Sequence, residues 1–133
     1  MSINLERMLK GYVECAEWAD CGPDQETYEC DWSTELLDTM RADCETFVAA
    51  CGEPLLDALA ELAPEYSDER FGHDFWLTRN GHGAGYWDRQ ELDALIEVNG
   101  VTSDLTLAKA LTDLAQAAGA CELYVGDDGM VYA

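Results

Sequence analysis

The stretch that most constrains this chain runs from Phe71 to Arg89 and reads FGHDFWLTRNGHGAGYWDR. It contains both histidines, two of the four tryptophans, two of the three phenylalanines and four glycines. Large aromatic side chains gain most when they are buried and packed on one another, so this stretch is expected to organise the fold. Ser67 followed by Asp68 and Glu69 predicts a helix start: a hydroxyl caps the first amides and acids face the positive end of the helix dipole. Phe71, Phe75, Trp76 and Arg79 then fall on that helix, and Asn80-Gly81 ends it through a left-handed cap. His82 to Asp88 is expected to form an irregular glycine-rich loop closed by Tyr86 and Trp87. The organising residues are read as His73, Asp74, Trp76, Arg79, Asn80, His82, Trp87 and Asp88. Arg79 is expected to pair with Asp74 or Asp88 and to stack on Trp76 or Trp87.

The chain before this stretch reads as helical. Leu5, Met8, Leu9, Tyr12, Val13 and Ala16 recur at the three-to-four spacing of an amphipathic helix over Ile3 to about Ala19, ended by Cys21-Gly22-Pro23-Asp24. Ser33 or Thr34 can cap a second helix carrying Leu36, Leu37, Met40, Cys44, Phe47, Val48 and Cys51, with Gly52 stopping it. Pro54 suits the start of a short third helix through Leu55, Leu56, Leu59 and Leu62. After the central stretch, Glu91 to Val98 reads as a short helix or as the approach to a strand over Glu97 to Val101, with Asn99-Gly100 as a turn. Ser103-Asp104 reads as the opening of a further helix that Gly119 ends. Glu122 to Val125 and Met130 to Tyr132, around Gly126-Asp127-Asp128-Gly129, predict a β-hairpin. The expected fold is therefore α+β: mainly α-helical, about five helices, with a short C-terminal β-hairpin. At 133 residues the simplest organisation is a single domain over 1–133.

Charge narrows the function classes. Twenty-eight acids against seven bases give a net charge of −21. Direct binding to nucleic acid or to an anionic membrane needs basic patches, so both are excluded as expectations. No apolar run approaches the ~20 residues of a bilayer span, and the N-terminus lacks the apolar core of a signal peptide. A cytoplasmic protein is the expectation, and with it six reduced, mostly buried cysteines.

The central stretch offers weak grounds for chemistry. His73, Asp74 and His82, with a cysteine, are the candidates for a small metal-dependent enzyme or metal-binding protein. However, HExxH is absent and no Cys-x-x-Cys pair occurs. A nucleophile elbow is missing, and the glycines at 81, 83 and 85 match neither a dinucleotide nor a P-loop fingerprint. The expectation is no enzyme, no catalytic residue, no metal and no cofactor.

The run GHDFWLTRNGHGAGYWDR, with the later LYVGDDGMVY, resembles small acidic proteins encoded by bacteriophages and related mobile elements. The resemblance lies mainly in the second half of the chain. It implies a phage-like setting in a host bacterial cell and assigns no activity.

Acids are densest from Glu14 to Glu45, where eleven of them stand against the single base Arg41. Steps of three or four place acids about 4.5–6 Å apart along a helix, within a factor of two of the ~3.4 Å charge spacing along a DNA strand. Solvated helix faces and high-salt adaptation give the same composition. Size, acidity and the phage-like motif together favour a DNA-mimicking surface formed by Glu14, Glu17, Asp20, Asp24, Glu26, Glu29, Asp31, Glu35 and Asp38. The expected partner is a host DNA- or RNA-binding defence protein with a basic groove, which makes this an anti-restriction or anti-CRISPR inhibitor. If a partner is instead held by aromatics, Tyr12, Trp18 and Trp32 are the exposed rings expected to hold it.

Overall fold

The computed structural model describes residues 3–20, 34–81, 84–98, 101–121, 124–125 and 131–132. It is mainly helical, with four α-helices and two small antiparallel hairpins. α1 spans Leu5–Asp20, α2 Thr34–Leu62, α3 Asp68–Asn80 and α4 Leu107–Ala117. β1 (Leu95–Val98) pairs with β2 (Val101–Thr106), and β3 (Tyr124–Val125) with β4 (Val131–Tyr132). The cap at Ser33, the turns at Asn99-Gly100 and Gly126–Gly129, and the helix break at 21–24 lie outside the described residues.

α3 is the centre of the molecule. Ser67 caps it, its hydroxyl accepting from the Arg70 amide, and Gly81 closes it at φ 65°, a left-handed conformation that glycine adopts without strain. Its buried residues include Phe71, Gly72, Asp74, Phe75, Trp76, Leu77 and Thr78. A helix buried on nearly every side must be surrounded by other elements. α1 packs along it most closely, and α4 and the turn at Tyr86–Asp88 also touch it.

The α1–α3 contact depends on two residues without side chains. A Cβ on Gly11 would run into the Glu69 carbonyl, and a Cβ on Gly72 into the Met8 carbonyl. The backbones meet there, which lets Met8, Tyr12, Cys15 and Ala16 of α1 seal one side of α3.

α2 is one continuous element broken in direction at Gly52, whose φ of 77° is not helical. The expected stop at Gly52 and restart at Pro54 thus appear as a kink, and the helical segments number five when the two halves are counted apart. Leu36, Met40, Cys44 and Phe47 of the first half and Leu56 and Leu59 of the second are buried. Phe47 carries the aromatic core: its ring stacks on Phe75 at 4.1 Å and lies 5.5 Å from Phe71 and 6.2 Å from Tyr86. Tyr12 adds stacked and edge-on contacts to Phe75 and Trp76. Tyr12 is fully buried, so it is no exposed partner ring. The Trp18 side chain and all of Trp32 lie outside the described residues.

Between residues 90 and 106 the outcome is mixed. Of the two readings of Glu91 to Val98 the helix fails and the approach to a strand holds, with the strand starting earlier than expected: a 3-10 turn at Gln90–Leu92 leads into β1 at Leu95. Ser103-Asp104 does not open α4, because these residues belong to β2. The Ser103 hydroxyl instead donates to the Ile96 carbonyl across the hairpin at 2.6 Å. Thr106 takes the cap, accepting from the Lys109 amide, immediately before the periodic run Leu107, Ala108, Leu111 and Ala115.

Candidate functional site

The central motif forms two polar knots on opposite sides of α3. The first is built on Asp74, which is fully buried. Arg89 grips it with two bonds, Nε to Oδ2 at 2.9 Å and Nη2 to Oδ1 at 2.6 Å. The Tyr66 hydroxyl donates to Oδ2 at 2.5 Å, and His73 Nδ1 lies 3.5 Å from Oδ1. Burial pushes the Asp74 carboxyl up, but the bonds from His73, Arg89 and Tyr66 outweigh it and hold the group below the usual carboxylate range. Burial beside this carboxylate pushes the Tyr66 phenol well up. Asp74 thus ties α3 to the chain before it through Tyr66 and to the chain after it through Arg89.

The second knot is built on Arg79. Its Nη1 donates to Asp43 Oδ2 and to the Tyr12 hydroxyl, both at 2.9 Å. Nε and Nη2 donate to the carbonyls of Gly119 and Ala118, and the guanidinium lies 5.2 Å from the Phe75 ring centre. The expected partners Asp74 or Asp88, and the expected stacking on Trp76 or Trp87, are therefore wrong. Asp74 and Arg79 are five residues apart, about 140° around the helix, and face different sides. Arg79 works as an external cap on α4, placing a cation at its negative end. Asn80 assists, accepting from the Cys121 amide at 2.7 Å and donating to the Trp76 carbonyl at 3.0 Å.

The remaining motif residues divide between these knots and the surface. Trp76 is buried. Trp87 is 40 % exposed, and Asp88 holds the Gly85 amide. Of the expected grouping His73, Asp74 and His82, His82 lies outside the described residues. Asp74 is already committed to Arg89 and Tyr66, whose hydrogen atoms occupy the lone pairs a metal would need. No group of three or more His, Cys, Asp or Glu side chains gathers among the described residues. Among those residues Cys15 and Cys44 are buried, Cys51 and Cys121 half-buried, and none is in a disulfide. Burial pushes the Cys44 and Cys51 thiols up to about 12, which removes the thiolate that nucleophilic or redox chemistry requires.

The acids expected to form one surface are described on α1 and α2. Glu14 and Glu17 on α1 and Glu35 and Asp38 on α2 are exposed. The Asp20 side chain and Asp24, Glu26, Glu29 and Asp31 lie outside the described residues. Glu14 and Glu17, and Glu35 and Asp38, are three apart and share a helix face within each pair. Arg41 sits near Asp38 and Glu45 and is bonded to Glu6, so one cation borders this face. Exposed acids also occur elsewhere, at Glu53, Asp57, Glu61, Glu65, Glu91, Asp93, Glu97, Asp104 and Asp113.

Sequence reasoning missed how the cations are used. Arg7 pairs with Glu69, Arg41 with Glu6, Arg70 with Glu91, Arg79 with Asp43, Arg89 with Asp74 and Lys109 with Asp113. Among the described residues six of the seven bases are thus paired with the molecule's own carboxylates, while the side chains of Arg7, Arg41, Arg70 and Lys109 stay exposed. Among the described residues no helix is long and apolar enough to cross a membrane. No protein-family model, curated protein or solved structure matches this chain.

Proposed function

We propose that this protein is a non-enzymatic, phage-type inhibitor that acts in the host bacterial cytoplasm. Its target is a nucleic-acid-processing defence protein, a restriction enzyme or a CRISPR complex, whose basic groove it occupies through an acidic surface. The observation that carries this reading is the one-sided charge balance. The chain has net charge −21, and among the described residues six of its seven bases stand beside its own acids. A cationic channel approaching such a surface meets an excess of carboxylates, at helical steps of about 4.5–6 Å against ~3.4 Å for phosphates along a DNA strand. Glu14, Glu17, Glu35 and Asp38 are the described residues of the contact, and Asp20, Asp24, Glu26, Glu29 and Asp31 continue it in sequence.

The test is competition. Purified protein is titrated into complexes of labelled DNA with candidate nucleases at two ionic strengths. Displacement is expected at low salt and should weaken as salt rises, because exposed charges attract over a Debye length that shrinks with ionic strength. Reversing Glu14, Glu17, Glu35 and Asp38 to lysine should weaken displacement by at least about tenfold, equivalent to ~1.4 kcal/mol. Failure to displace DNA, or displacement indifferent to salt and to these reversals, rejects the reading.

A further inference from the structure

β1 faces the second half of α2 across a groove of about 370 Å³. Its apolar lining is Pro54, Ala58 and Leu62 from the helix and Leu95 from the strand. Its rim is acidic, with Asp57 and Glu61 on the helix side and Glu97 on the strand side, and no base lines it. Leu62 is 39 % exposed and Leu95 45 %, so each wall presents a partly hydrated leucine. Covering such surface is favourable in proportion to the apolar area removed from water, and adjacent exposed apolar side chains rimmed by polar groups mark contact sites.

We infer that this groove binds a short segment of a partner protein that combines an apolar side chain with flanking lysines or arginines. The leucines define the apolar anchor, and Glu61 and Glu97, one on each wall, define the sign of its flanks. The other occupants fit the charge badly. A second copy would bring another −21 against the same acidic rim, which opposes association. Residues 21–33 of the chain itself carry four acids and no base. A nucleic acid would be repelled. The acid pairs lie in water and each adds little, so discrimination rests on the two leucines while charge speeds encounter. The groove is separate from Glu14, Glu17, Glu35 and Asp38, so this inference holds or fails independently of the inhibitor reading.

The test uses the full chain and a fluorescein-labelled peptide, Lys-Leu-Lys-Val-Lys-Leu-Lys-Val, followed by anisotropy. The same peptide with glutamate in place of lysine is the comparison. Saturable binding of the lysine peptide only is expected. The leucine variant Leu62→Ser with Leu95→Ser, and the rim variant Glu61→Lys with Glu97→Lys, should each weaken it about tenfold or more. The control Glu45→Lys with Asp113→Lys makes the same change in net charge away from the groove and from the acids of the inhibitor reading, and should shift binding about twofold or less. Equal weakening by the rim and control variants would show attraction to charge in general and overturn the inference. So would unchanged binding in the leucine variant, or no binding of the lysine peptide. Sedimentation that finds a wild-type dimer lost in the leucine variant would assign the groove to a second copy and overturn it as well. All six substituted residues are exposed, and circular dichroism checks that each variant keeps its helices.

Discussion

At the residue scale the motif around Asp74 is a device for holding one buried charge. Asp74 is fully enclosed, whereas the Arg89 side chain keeps 26 % of its surface in water. The two partners are therefore not equivalent to delete. Arg89→Ala strands a buried carboxylate and should cost about 3–5 kcal/mol. Asp74→Asn leaves a cation that can still reach solvent, keeps an oxygen for Tyr66, and should cost clearly less. Urea midpoints of the two variants check the order, and equal losses would contradict it. The depressed Asp74 carboxyl sets the pH dependence. A group whose folded pKa lies below its unfolded value, ~3.9, contributes stability above that value and loses it as pH falls through the folded one. The gap between wild type and Asp74→Asn should therefore close in acid below about pH 4. The motif's importance was legible from its composition, but the pairing was not. Proximity in sequence suggested Arg79 for Asp74, while helix geometry turns Arg79 away and brings Arg89 back from beyond the glycine loop. Tyr12 makes the same point. Its place in the apolar stripe with Met8, Leu9 and Ala16 already put it inside, against its reading as an exposed partner ring.

At the element scale the helices were legible because each has a periodic apolar face and a local stop. Ser67 and Gly81 bound α3 where their chemistry requires it, and Gly52 turns α2 at a left-handed backbone. The β1–β2 hairpin was obscured because Ser103-Asp104 carries the same signal as a helix cap. Which use wins depends on the partner in reach, here the Ile96 carbonyl. The α1–α3 crossing was invisible in sequence, since nothing local distinguishes a glycine that meets another backbone from one in open solvent. Gly72→Ala should therefore destabilise by about 3 kcal/mol or more, the upper range for overpacking, because the obstructing atoms belong to backbone and cannot rotate aside. Gly81→Ala meets nothing within 4 Å and should cost only the ~1–2 kcal/mol of a left-handed alanine. Hydrogen exchange adds a second readout: Gly72→Ala should loosen α1 as well as α3, whereas Gly81→Ala should act at the end of α3. Equal effects from the two substitutions would mean that α1 and α3 are not in backbone contact.

At the scale of the whole molecule, charge and fold oppose each other. A compact body with net charge −21 repels itself, and that repulsion is lowest in an expanded chain. The internal ion pairs bring six bases close to six acids and relieve part of it. Most of those pairs are exposed, however, and each contributes little. The burden of holding the charge together falls on the aromatic core around Phe47, Phe71, Phe75 and Tyr86 and on the Asp74 and Arg79 knots. The same arithmetic gives a test with two signs. Raising salt from ~0.01 to ~0.15 M shortens the Debye length from about 30 to about 8 Å. Self-repulsion then weakens, and the thermal midpoint should rise by roughly 3–6 °C, the shift that about 1 kcal/mol produces in a domain of this size. Displacement of DNA from a defence nuclease should fall over the same interval, because the attraction to the target is screened by the same ions. A midpoint that stays level or falls with salt would show that the carboxylates are already compensated within the molecule. A surface so compensated would have no unbalanced charge to offer a cationic groove.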